Sequence, residues 1–517
     1  MRLSRRKTMA GISLGLLGMY GRAHAAGAYD IRHYGAKGDG VTLDTAAIQR
    51  AIDAAAAAGG GTVFLPAGRY LSFSLHLKSH ISILFESGAT LLAADPAKYH
   101  GQYDMPEPNQ WDQHQDYGHN YWHNSLMWGE NLEDIAIGGP GLIDGSGLTR
   151  ESPNAPWSMG IGRDLPPDAK RDAAIADWKT QVAAMRGKGN KVIALKNSRG
   201  FIARDLSILK AGHFGLLLSG VDNVLIDGLT IDTNRDGMDL DCVRNARISN
   251  CFVNSPFDDG ICIKASYALG AIRPTENVAI TNCHVSGYDV GSVMDGSFKK
   301  SQLDPPIKHR TSGRIKLGTE STGGYRNIAI SNCVFDCCNG LALESVDGAV
   351  LEDVTVSNLT MRETTGAPLF IRLGDRRRAP AGRPIAALRR VSIDNIICDM
   401  ADTRGIAATV TGVPGASVED VTLRGMRWSY QGGGTAEMTA RAIPELVDSY
   451  PDPDVFGPPS AWGLYARHVK GLVLQDIELQ ALNADARKPV ILDDVSGLRA
   501  SDVLARNGGG AMEAVKL

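Results

Sequence analysis

Val354-Thr-Val-Ser-Asn-Leu-Thr-Met361 alternates apolar and polar residues around an Asn, and the phrase returns along the chain in other letters. Val224-Leu-Ile-Asp-Gly-Leu-Thr-Ile231 and Val391-Ser-Ile-Asp-Asn-Ile-Ile397 are two further copies. Alternation with a period of two predicts a β-strand. An Asn, Asp or Gly stands at the shared position of the copies, at Asp205, Gly228, Asn250, Asn282, Asn332, Asn358, Asn395, Gly425, Asp476 and Asp502.

The spacing of these positions indicates one repeating coil. The steps between them are 23, 22, 32, 50, 26, 37, 30, 51 and 26 residues, so a step of 50 or 51 is either two coils or one coil with a loop. Recurrence at this length predicts a parallel β-solenoid, in which each strand pairs with the coils above and below at about 4.8 Å. The shared Asn suits a turn where amides stack and left-handed backbone is tolerated. Leucine-rich repeats compete, but the sequence lacks their Leu-x-x-Leu-x-Leu signature.

Length and composition bound the class of protein. A chain of 517 residues would ordinarily suggest about three domains, but stacked repeats extend one core, so we predict a single β-helix domain over residues 26–517. Outside the N-terminus no apolar run approaches the ~18 residues of a membrane span, which excludes an integral membrane protein. The net charge of −3, without a Lys/Arg cluster, disfavours nucleic-acid binding. The sequence predicts no oligomeric state.

The first 25 residues have the pattern of an export signal. Ser4-Arg5-Arg6-Lys7-Thr8-Met9 precedes the apolar stretch Ala10–Met19, which ends at Ala23-His24-Ala25. A charged start, a short apolar middle and small residues at a cleavage site are typical of a secretory signal, and the paired arginines suit the twin-arginine type. We therefore expect a periplasmic or secreted protein, no longer membrane-associated after export. Removal of residues 1–25 lowers the net charge from −3 to −8.

Two kinds of segment interrupt the coil pattern. Thr45–Ala58 reads as a helix with Asp44 as N-cap and Gly59-Gly60-Gly61 as its end, and we expect it to cover the N-terminal opening of the solenoid. Residues 98–130 and 150–190 read as long loops over one cleft, the second partly helical around Asp172–Met185. The aromatic residues of the first loop either contact sugar rings or anchor the loop: Tyr103, Trp111, Tyr117, Tyr121, Trp122 and Trp128.

The cysteines follow the repeat. Cys251, Cys283 and Cys333 end the phrases Ile248-Ser-Asn-Cys251, Ile280-Thr-Asn-Cys283 and Ile330-Ser-Asn-Cys333. Although an exported protein could form disulfides, this placement favours an interior ladder of small apolar residues. Cys337 and Cys338 stay open, and no cysteine spacing suggests a zinc site.

The densest acidic stretch is a candidate catalytic site. Asp236 lies 22 residues before Asp258 and 23 before Asp259, which is one coil, so the three carboxylates should lie over one another. Asp258 and Asp259 share a face only if the chain bends, which Gly260 permits. Mutual repulsion would keep one carboxyl protonated and leave the others ionised, as glycoside hydrolysis requires. A calcium site using Asp236, Asp239 and Asp241, or plain turn aspartates, are the structural alternatives; we predict no metal and no cofactor.

Several motifs resemble glycoside hydrolase family 28, the polygalacturonase family. Tyr34-Gly-Ala-Lys-Gly-Asp-Gly-Val-Thr-Leu-Asp44 and Gly60-Gly-Thr-Val-Phe-Leu-Pro-Ala-Gly-Arg-Tyr70 resemble its opening, which other β-helix proteins share. Asn234-Arg235-Asp236-Gly237-Met-Asp239 resembles its Asn-Thr-Asp-Gly-Ile-Asp, with Arg for Thr. Phe257-Asp258-Asp259-Gly-Ile-Cys-Ile-Lys264 resembles its Gly-Asp-Asp-Cys-Ile-Ala-Ile-Lys.

This resemblance implies a right-handed parallel β-helix and an inverting hydrolase that acts on a pectic or related plant cell-wall carbohydrate. Asp258 would be the general acid, while Asp236 and Asp259 would hold and activate the water. Inversion requires carboxyl groups roughly 6.5–9.5 Å apart, against ~5 Å for retention. Candidate substrate-binding residues are those of the motifs and of the neighbouring coils: Asn234, Arg235, Lys264, Arg314, Lys316, Glu320 and Glu344.

Two family motifs depart from the pattern. Ser312-Gly313-Arg314 stands where the resemblance places Gly-His-Gly, so that histidine is missing. Arg314-Ile315-Lys316 spells the family's Arg-Ile-Lys one coil early, which indicates a different subsite; the expected position holds Ala342 and Glu344. Because the family's Arg and Lys bind galacturonate carboxylates, this replacement argues against plain homogalacturonan and favours rhamnogalacturonan fragments or another decorated glycan.

Other readings stay open at this point. A polysaccharide lyase on the same scaffold would use Lys316 or Arg314 as base, and a carbohydrate-binding β-helix would have no active triad. Large loops at one end of the cleft hint at exo action. Tyr450–Phe456 and Trp462–Gly471 resemble a stretch of less typical bacterial family members; we read it as late-coil structure, with Arg467 and His468 as possible cleft contributors.

Overall fold

The computed structural model describes residues 28–111, 114–151, 169–301 and 311–517. Its strands stack coil upon coil into three parallel sheets, A, B and C, so the predicted parallel β-helix is confirmed. Each coil passes through sheet C, then A, then B. Sheet A begins with strands β1 (Ala28–Asp30), β3 (Gly61–Leu65), β6 (Ile81–Phe85), β9 (Glu133–Gly138), β12 (Arg199–Arg204), β15 (Asp222–Asp227), β18 (Arg244–Ser249) and β21 (Thr275–Thr281).

Sheets B and C complete the coils. Sheet B begins with β2 (Asp39–Leu43), β4 (Gly68–Ser72), β7 (Ala89–Ala93), β10 (Leu142–Asp144), β13 (Ser207–Leu209), β16 (Thr230–Asp232), β19 (Phe252–Asn254) and β22 (His284–Ser286). Sheet C contains β5 (Leu75–His76), β8 (Met127–Glu130), β11 (Lys191–Lys196), β14 (Phe214–Ser219), β17 (Asp236–Asp241), β20 (Ile261–Lys264), β23 (Ile315–Leu317), β25 (Leu341–Ser345), β27 (Leu369–Leu373), β29 (Ala408–Thr411) and β32 (Lys488–Ser496).

In the later coils sheets A and B merge into long bent strands. These are β24 (Tyr325–Asp336), β26 (Val350–Thr364), β28 (Ala387–Met400), β30 (Val418–Tyr430), β31 (Ala461–Ala481) and β33 (Arg499–Asn507), with β34 (Glu513–Ala514) antiparallel to β33. The first half of β31 also belongs to sheet C. The described helices are α1 (Thr45–Ala57), α2 (Ala169–Ala184), α3 (Ala436–Thr439) and α4 (Pro453–Phe456), with 3-10 turns at Ile31–Tyr34 and Tyr117–His119.

The repeated Asn, Asp and Gly positions turn each coil from sheet A to sheet B. All ten have a left-handed backbone, with φ between 53° and 68°. The amide of Asn395 donates to Asn358 at 2.8 Å, and that of Asn358 donates to Asn332 at 3.0 Å. The predicted amide stack is therefore confirmed. The steps of 50 and 51 residues are each one coil that carries a loop, because β22 pairs with β24 and β30 pairs with β31.

Helix α1 closes the N-terminal end. Its buried side chains, Ala47, Ile48, Ala51, Ile52 and Ala55, join the core of the first coils. Asp44 precedes α1 at the predicted N-cap position, but its side chain makes no capping hydrogen bond. Its carboxylate instead accepts hydrogen bonds from the backbone N–H groups of Lys37 at 2.6 Å and Gly38 at 3.0 Å. Among the described helices, none has the length and apolar character of a membrane span.

All eight cysteines are free and buried, which confirms the interior ladder of Cys251, Cys283 and Cys333. Cys337 and Cys338 are likewise free. Cys251, Cys283, Cys333, Cys338 and Cys398 belong to the core that runs the length of the solenoid, whereas Cys337 packs in a small separate cluster with Tyr288 and Val293.

We expect these thiols to stay unreactive in the folded protein and to react together on unfolding. The thiolate is the reactive form, and burial raises the pKa of Cys262 and Cys338 well above its ordinary value. Titration with a chromogenic disulfide reagent, with and without denaturant, measures this. A disulfide found by non-reducing peptide mapping would contradict it.

Candidate active site

Three carboxylates meet where the chain enters sheet C. Asp236 is the first residue of β17, and Asp258 and Asp259 lie in the turn before β20, the next strand of the sheet. One carboxylate oxygen from each lies within 4.8 Å of the others. The backbone N–H of Asp259 donates to Asp258 at 3.0 Å and approaches Asp236 at 3.3 Å, so the turn itself holds the three together. The one-coil spacing thus predicted the cluster correctly.

Asp258 is the member that faces the opening. Its side chain is 29% exposed, against 4% for Asp236 and 6% for Asp259. Arg235 forms an ion pair with Asp258, in which Nη2 and Nε donate hydrogen bonds to Oδ2 at 2.7 Å and 3.2 Å. Burial would raise the pKa of Asp258, but the Arg235 guanidinium outweighs it and lowers the pKa. Arg235 stands where the family motif has Thr, so this ion pair is a particular feature of this chain.

Asp259 is held ionised by two cations from the following coil. Arg314 Nε donates to Oδ1 at 2.9 Å, and Lys316 Nζ lies 3.3 Å from Oδ2. Burial opposes ionisation, but Lys316 and Arg314 hold the pKa of Asp259 far below its usual range. The carboxylate is therefore a permanent anion at the centre of the cluster.

Asp236 is the member of the triad whose pKa is raised. It is buried, and burial together with the charges of Asp258 and Asp239 raises its pKa well above the ordinary value. Its nearest cation, Lys264, is 3.7 Å away. The sequence predicted one carboxyl of raised proton affinity beside ionised ones; the raised pKa falls on Asp236, whereas the resemblance assigns the acid role to Asp258.

Lys264 lies next to the three carboxylates and contacts several buried side chains at once. Its Nζ lies 3.3 Å from Asp239, 3.3 Å from Glu320 and 2.6 Å from His119 Nε2. His119 Nε2 is also 2.9 Å from Asp239. Asn234 is half-buried in the turn before β17. Lys264 thus contacts protein acids, so we reassign it from substrate contact to positioning.

His119 supplies an imidazole where the expected histidine motif is missing. It comes from the loop of residues 98–130, far away in sequence, and it is buried with its ring edge against Phe214. Sequence reasoning missed it, since no spacing links it to the triad. The only signal was the length of the loop itself.

Lys316 and Arg314 do not lie at a separate subsite, as the early position of Arg-Ile-Lys had suggested. In register, Lys316 pairs with Cys262 on one side and Ala342 on the other, so the one-coil offset is real. Both side chains nevertheless reach back to Asp259. Glu344, fully buried, lies 3.7 Å from Lys316 and 4.0 Å from Arg314. Arg314, Lys316 and Glu344 therefore neutralise one another, and we reassign them too from substrate contact.

Glu320 binds a second group of cations. It lies 3.3 Å from Lys264, 3.5 Å from Arg378 and 3.8 Å from Arg376. Burial alone would raise the pKa of Glu320, but Lys264 and these arginines hold it well below the ordinary value. Glu320 is thus a buried structural anion and contacts no open space directly.

The late-coil prediction holds for Trp462–Gly471, which lies in β31, but not for Tyr450–Phe456, which lies in the loop between β30 and β31. Tyr450 returns from this loop to the site, where its hydroxyl accepts hydrogen bonds from Thr319 at 3.1 Å and Lys316 at 3.4 Å. Arg467 and His468 lie elsewhere, with His468 Nδ1 2.6 Å from Asp494. A 30-residue loop that interrupts regular coils was the signal for Tyr450, since long loops on a scaffold commonly carry function.

Loop residues cover sheet C before and after the triad, and we call the uncovered part around the exposed Asp258 the pit. Trp122, fully buried, packs with Ala194 and Leu217, which occupy the cleft floor on the two coils before β17. Trp111 and Tyr267 meet edge to face at 5.2 Å beside it. On the other side Ala342 and Phe370 are covered by Ile406 and Phe456. The loop aromatics mainly anchor these covers; the side chain of Tyr117 lies outside the described residues.

The acids that could form the alternative calcium site have other partners. Asp241 accepts hydrogen bonds from the backbone and hydroxyl of Ser266 at 2.7 and 2.6 Å. Lys264 Nζ lies between Asp236 and Asp239 and supplies the positive charge there. The donor set therefore fits an internal ion-pair network better than a calcium ion, which prefers six to eight oxygen ligands.

Comparison with known families agrees with this architecture. Residues 28–102 match the family described as rhamnogalacturonase A/epimerase, pectate lyase-like. Residues 191–367 match the family described as right-handed β-helix region. The predicted right-handed parallel β-helix is confirmed.

Two relatives of known name are similar to this chain in sequence. An exo-poly-α-D-galacturonosidase of Dickeya chrysanthemi is 26% identical over 394 residues, which cover 65% of this chain and 62% of that protein. A probable polygalacturonase of Vitis vinifera is 28% identical over 324 residues, which cover 59% of each. This chain is polygalacturonase-like. The alignments span less than two thirds of either relative's own length.

A solved structure gives the same fold. The hyperthermoactive exopolygalacturonase of Thermotoga maritima superposes with a TM-score of 0.57 at 20% identity, covering 78% of this chain and 87% of that one. At this identity the similarity establishes the architecture of the polygalacturonase-like protein and nothing finer.

Proposed function

We propose that this protein is a glycoside hydrolase that removes units from the end of a pectic or related plant cell-wall glycan. The observation that carries the proposal is the triad, whose three carboxyl groups each place an oxygen within 4.8 Å of the others. The pKa of Asp236 is raised, whereas the pKa values of Asp258 and Asp259 are lowered. General acid–base hydrolysis of a glycosidic bond needs this division.

The roles follow from exposure and charge. The Asp236–Asp258 pair holds one proton, and Asp258, the exposed member, delivers it to the leaving oxygen. Asp259, kept ionised by Arg314 and Lys316, activates the water. Inversion is part of the proposal on the resemblance alone, because the nearest oxygens are closer than the roughly 6.5–9.5 Å between carboxyl groups of inverting enzymes.

Exo action is supported by the covers. A polymer that crossed the triad along sheet C would have to displace Trp122 on one side or Phe456 on the other. A chain end or a short oligosaccharide fits a pit, whereas the middle of a chain needs an open groove.

A lyase is disfavoured by the charges. Its base would be Lys316 or Arg314, and a base must be unprotonated. Although burial lowers the pKa of Lys316, Asp259 and Glu344 outweigh it and hold the pKa well above the ordinary value. Arg314 is held protonated in the same way.

Export belongs to the same proposal. The signal-like residues 1–25 lie outside the described residues, and a plant polymer would be met outside the cytoplasm. Fractionation of cells that express the full chain, with Arg5 and Arg6 both replaced by Lys, tests it. The wild type should reach the periplasm or medium and the variant should stay in the cytoplasm; equal distribution would contradict the proposal.

The experiment that tests the activity is a panel of pectic oligosaccharides with product analysis by mass and by NMR of the anomeric proton. We expect a single small sugar from the earliest time points, first formed with inverted configuration. A mixture of mid-chain fragments would contradict exo action, and the absence of hydrolysis across the panel would contradict the hydrolase.

Replacing Arg235 with Thr should move the alkaline limb of the pH–rate profile to higher pH by about one unit. The acid must be protonated to act, so activity falls as pH rises through its pKa. Loss of the cation that lowers the pKa of Asp258 raises that pKa and extends activity upward.

The matched control for this variant is Arg424→Thr, which breaks an exposed pair with Asp394 on the outer face. It should leave the profile unchanged. If the alkaline limb of the Arg235 variant stayed in place or moved to lower pH, Arg235 would not be the group that lowers the pKa of the catalytic acid.

A further inference from the structure

Resting on the proposed function, we infer that the sugar ring bound between the triad and Tyr450 carries no carboxylate, and that Glu344 is the residue that excludes a uronate there. The relevant wall consists of the exposed Tyr450 with the buried Arg314, Lys316 and Glu344 beneath it. It lies on the coils that follow the triad.

The cations of this wall are already neutralised. Arg314 and Lys316 both contact Asp259, at 2.9 and 3.3 Å, and both lie within 4.0 Å of Glu344. Their side chains are only 4% and 2% exposed. A substrate carboxylate would have to lose its hydration and would gain no free positive charge in exchange, which is unfavourable.

The remaining cations below the site are paired as well. Lys264 contacts Asp239 and Glu320, and Arg376 donates to Asp347 at 2.6 and 3.1 Å. Across the site six cations face eight acids: Arg235, Lys264, Arg314, Lys316, Arg376 and Arg378 against Asp116, Asp236, Asp239, Asp258, Asp259, Glu320, Glu344 and Asp347. With Asp236 neutral and Glu344 ionised, seven acids face the six cations.

The next cation along sheet C is also unavailable. Arg372 follows Glu344 in register but lies under the Phe456 ring, 4.9 Å from its centroid. Its guanidinium donates to the carbonyl oxygens of Gly412 at 3.0 Å and Glu445 at 2.7 Å. It is directed into the loop and away from the pit.

Tyr450 presents an aromatic surface over these charges. Its ring centroid lies 5.5 Å from Lys316 Nζ and 5.9 Å from Arg376 Cζ, and the residue is 39% exposed. The ring therefore lies over the cations, and part of its surface stays exposed. Aromatic faces favour apolar C–H contacts, which every sugar ring can provide without a charge.

Glu344 is the member of the wall whose removal restores a positive charge. Neither of its carboxylate oxygens has a hydrogen-bond partner among the described residues, and it is fully buried. Gly318 makes room for it, since a Cβ there would lie 2.9 Å from Oε2. Glu344 therefore acts through charge alone, as counter-ion to Arg314 and Lys316.

The inference concerns this side of the triad only. On the N-terminal side Arg150 lies over the Phe257 ring, 5.1 Å from its centroid, next to Asp258 in the chain. A uronate on that side is compatible with the inference. The test is therefore a comparison between enzymes, in which the contribution of the Arg150 side cancels.

The probes are oligogalacturonides and rhamnogalacturonan oligosaccharides, each in native form and after chemical reduction of every carboxylate to an alcohol. Binding is measured by calorimetry in an Asp236→Asn background, which is expected to suppress turnover and replaces the carboxyl of raised pKa by a neutral amide. Burial raises the pKa of Glu344, so mildly alkaline buffer keeps it ionised.

Glu344→Gln should shift the ratio of native to reduced affinity about tenfold toward the native, charged ligand. The control Asp353→Asn also removes one acid from an arginine pair, but on the exposed outer face, and should leave the ratio unchanged. An unchanged ratio in Glu344→Gln, or the same shift in the control, would overturn the inference.

Tyr450→Ala gives a second reading that does not depend on Glu344→Gln folding well. Affinity for the reduced ligand should fall about tenfold, and affinity for the native ligand should fall less, because the shielded cations are uncovered. An equal loss for both ligands, or no binding of either ligand to any variant, would overturn the inference. If the variants changed the affinities for native and reduced ligands as expected but the wild type hydrolysed none of the oligosaccharides, only the proposed function would be contradicted.

Discussion

Asp258→Asn is expected to lower kcat by about 10³-fold or more, because a positioned acid typically contributes 10² to 10⁴ and the amide neither holds nor transfers the proton. Asp258 is the one triad member that is substantially exposed, which is why we propose that it is the one that contacts the glycosidic oxygen. Binding of an uncharged oligosaccharide should change little, since the amide keeps the shape of the side chain.

The control is Asp205→Asn, at an exposed left-handed turn of the solenoid where Asn is the usual residue of the ladder. It should retain full activity. If Asp258→Asn kept a tenth or more of the wild-type kcat, Asp258 would not be the acid. If the wild type bound the oligosaccharide without hydrolysing it, and Asp258→Asn bound it equally well, the result would favour a non-catalytic carbohydrate-binding protein.

Lys264→Met is expected to lower the free energy of unfolding by about 3–5 kcal/mol, the usual effect of removing one partner from a buried ion pair. The ammonium lies within 3.3 Å of Asp239 and Glu320, and all three side chains are almost inaccessible. Although burial lowers the pKa of Lys264, these acids hold it well above the ordinary value, so the pair is ionised throughout the neutral range.

The pH dependence of this loss has a definite sign. The raised pKa of Lys264 means that its stabilisation is present at all pH below about 10.4, its unfolded value. Glu320 has a lowered pKa, so its stabilisation is present above its unfolded pKa and is lost as pH falls through the folded value. The loss of unfolding free energy caused by Lys264→Met should therefore be largest near neutral pH and should become smaller in acid.

Denaturant titration of the wild type, Lys264→Met and the exposed control Lys470→Met measures this difference. Lys470 is 64% exposed and only 4.0 Å from Glu419, so its loss should cost under about 0.5 kcal/mol. A deficit in Lys264→Met that matched the control, or that grew in acid, would show that Lys264 is not the counter-ion of these acids.

The sequence predicted the architecture because each coil repeats its own local signals. The left-handed Asn positions, the free cysteine ladder and the helix over the first coil depend on residues close together in the chain, and all three are present in the structure. The triad was predictable for the same reason, since Asp236 and Asp258 are one coil apart.

What the sequence did not predict depends on side chains that meet across long separations. His119 reaches Lys264 from 145 residues away, and Tyr450 reaches Lys316 from 134 residues away. Their positions follow from how two loops fold onto the scaffold, which no repeat specifies. The pairing of Arg235 with Asp258 spans only one coil, but its effect on the resting proton depends on burial, which spacing does not report.

The most direct test of the account is hydrolysis of the active oligosaccharide in ¹⁸O-labelled water, followed by mass spectrometry and ultraviolet absorbance of the products. Water activated by Asp259 should place one ¹⁸O atom in the sugar whose anomeric carbon was attacked, with no unsaturated product, and Asp258→Asn should abolish the incorporation. An unsaturated, ultraviolet-absorbing product without label, or labelled product formed equally well by Asp258→Asn, would contradict it.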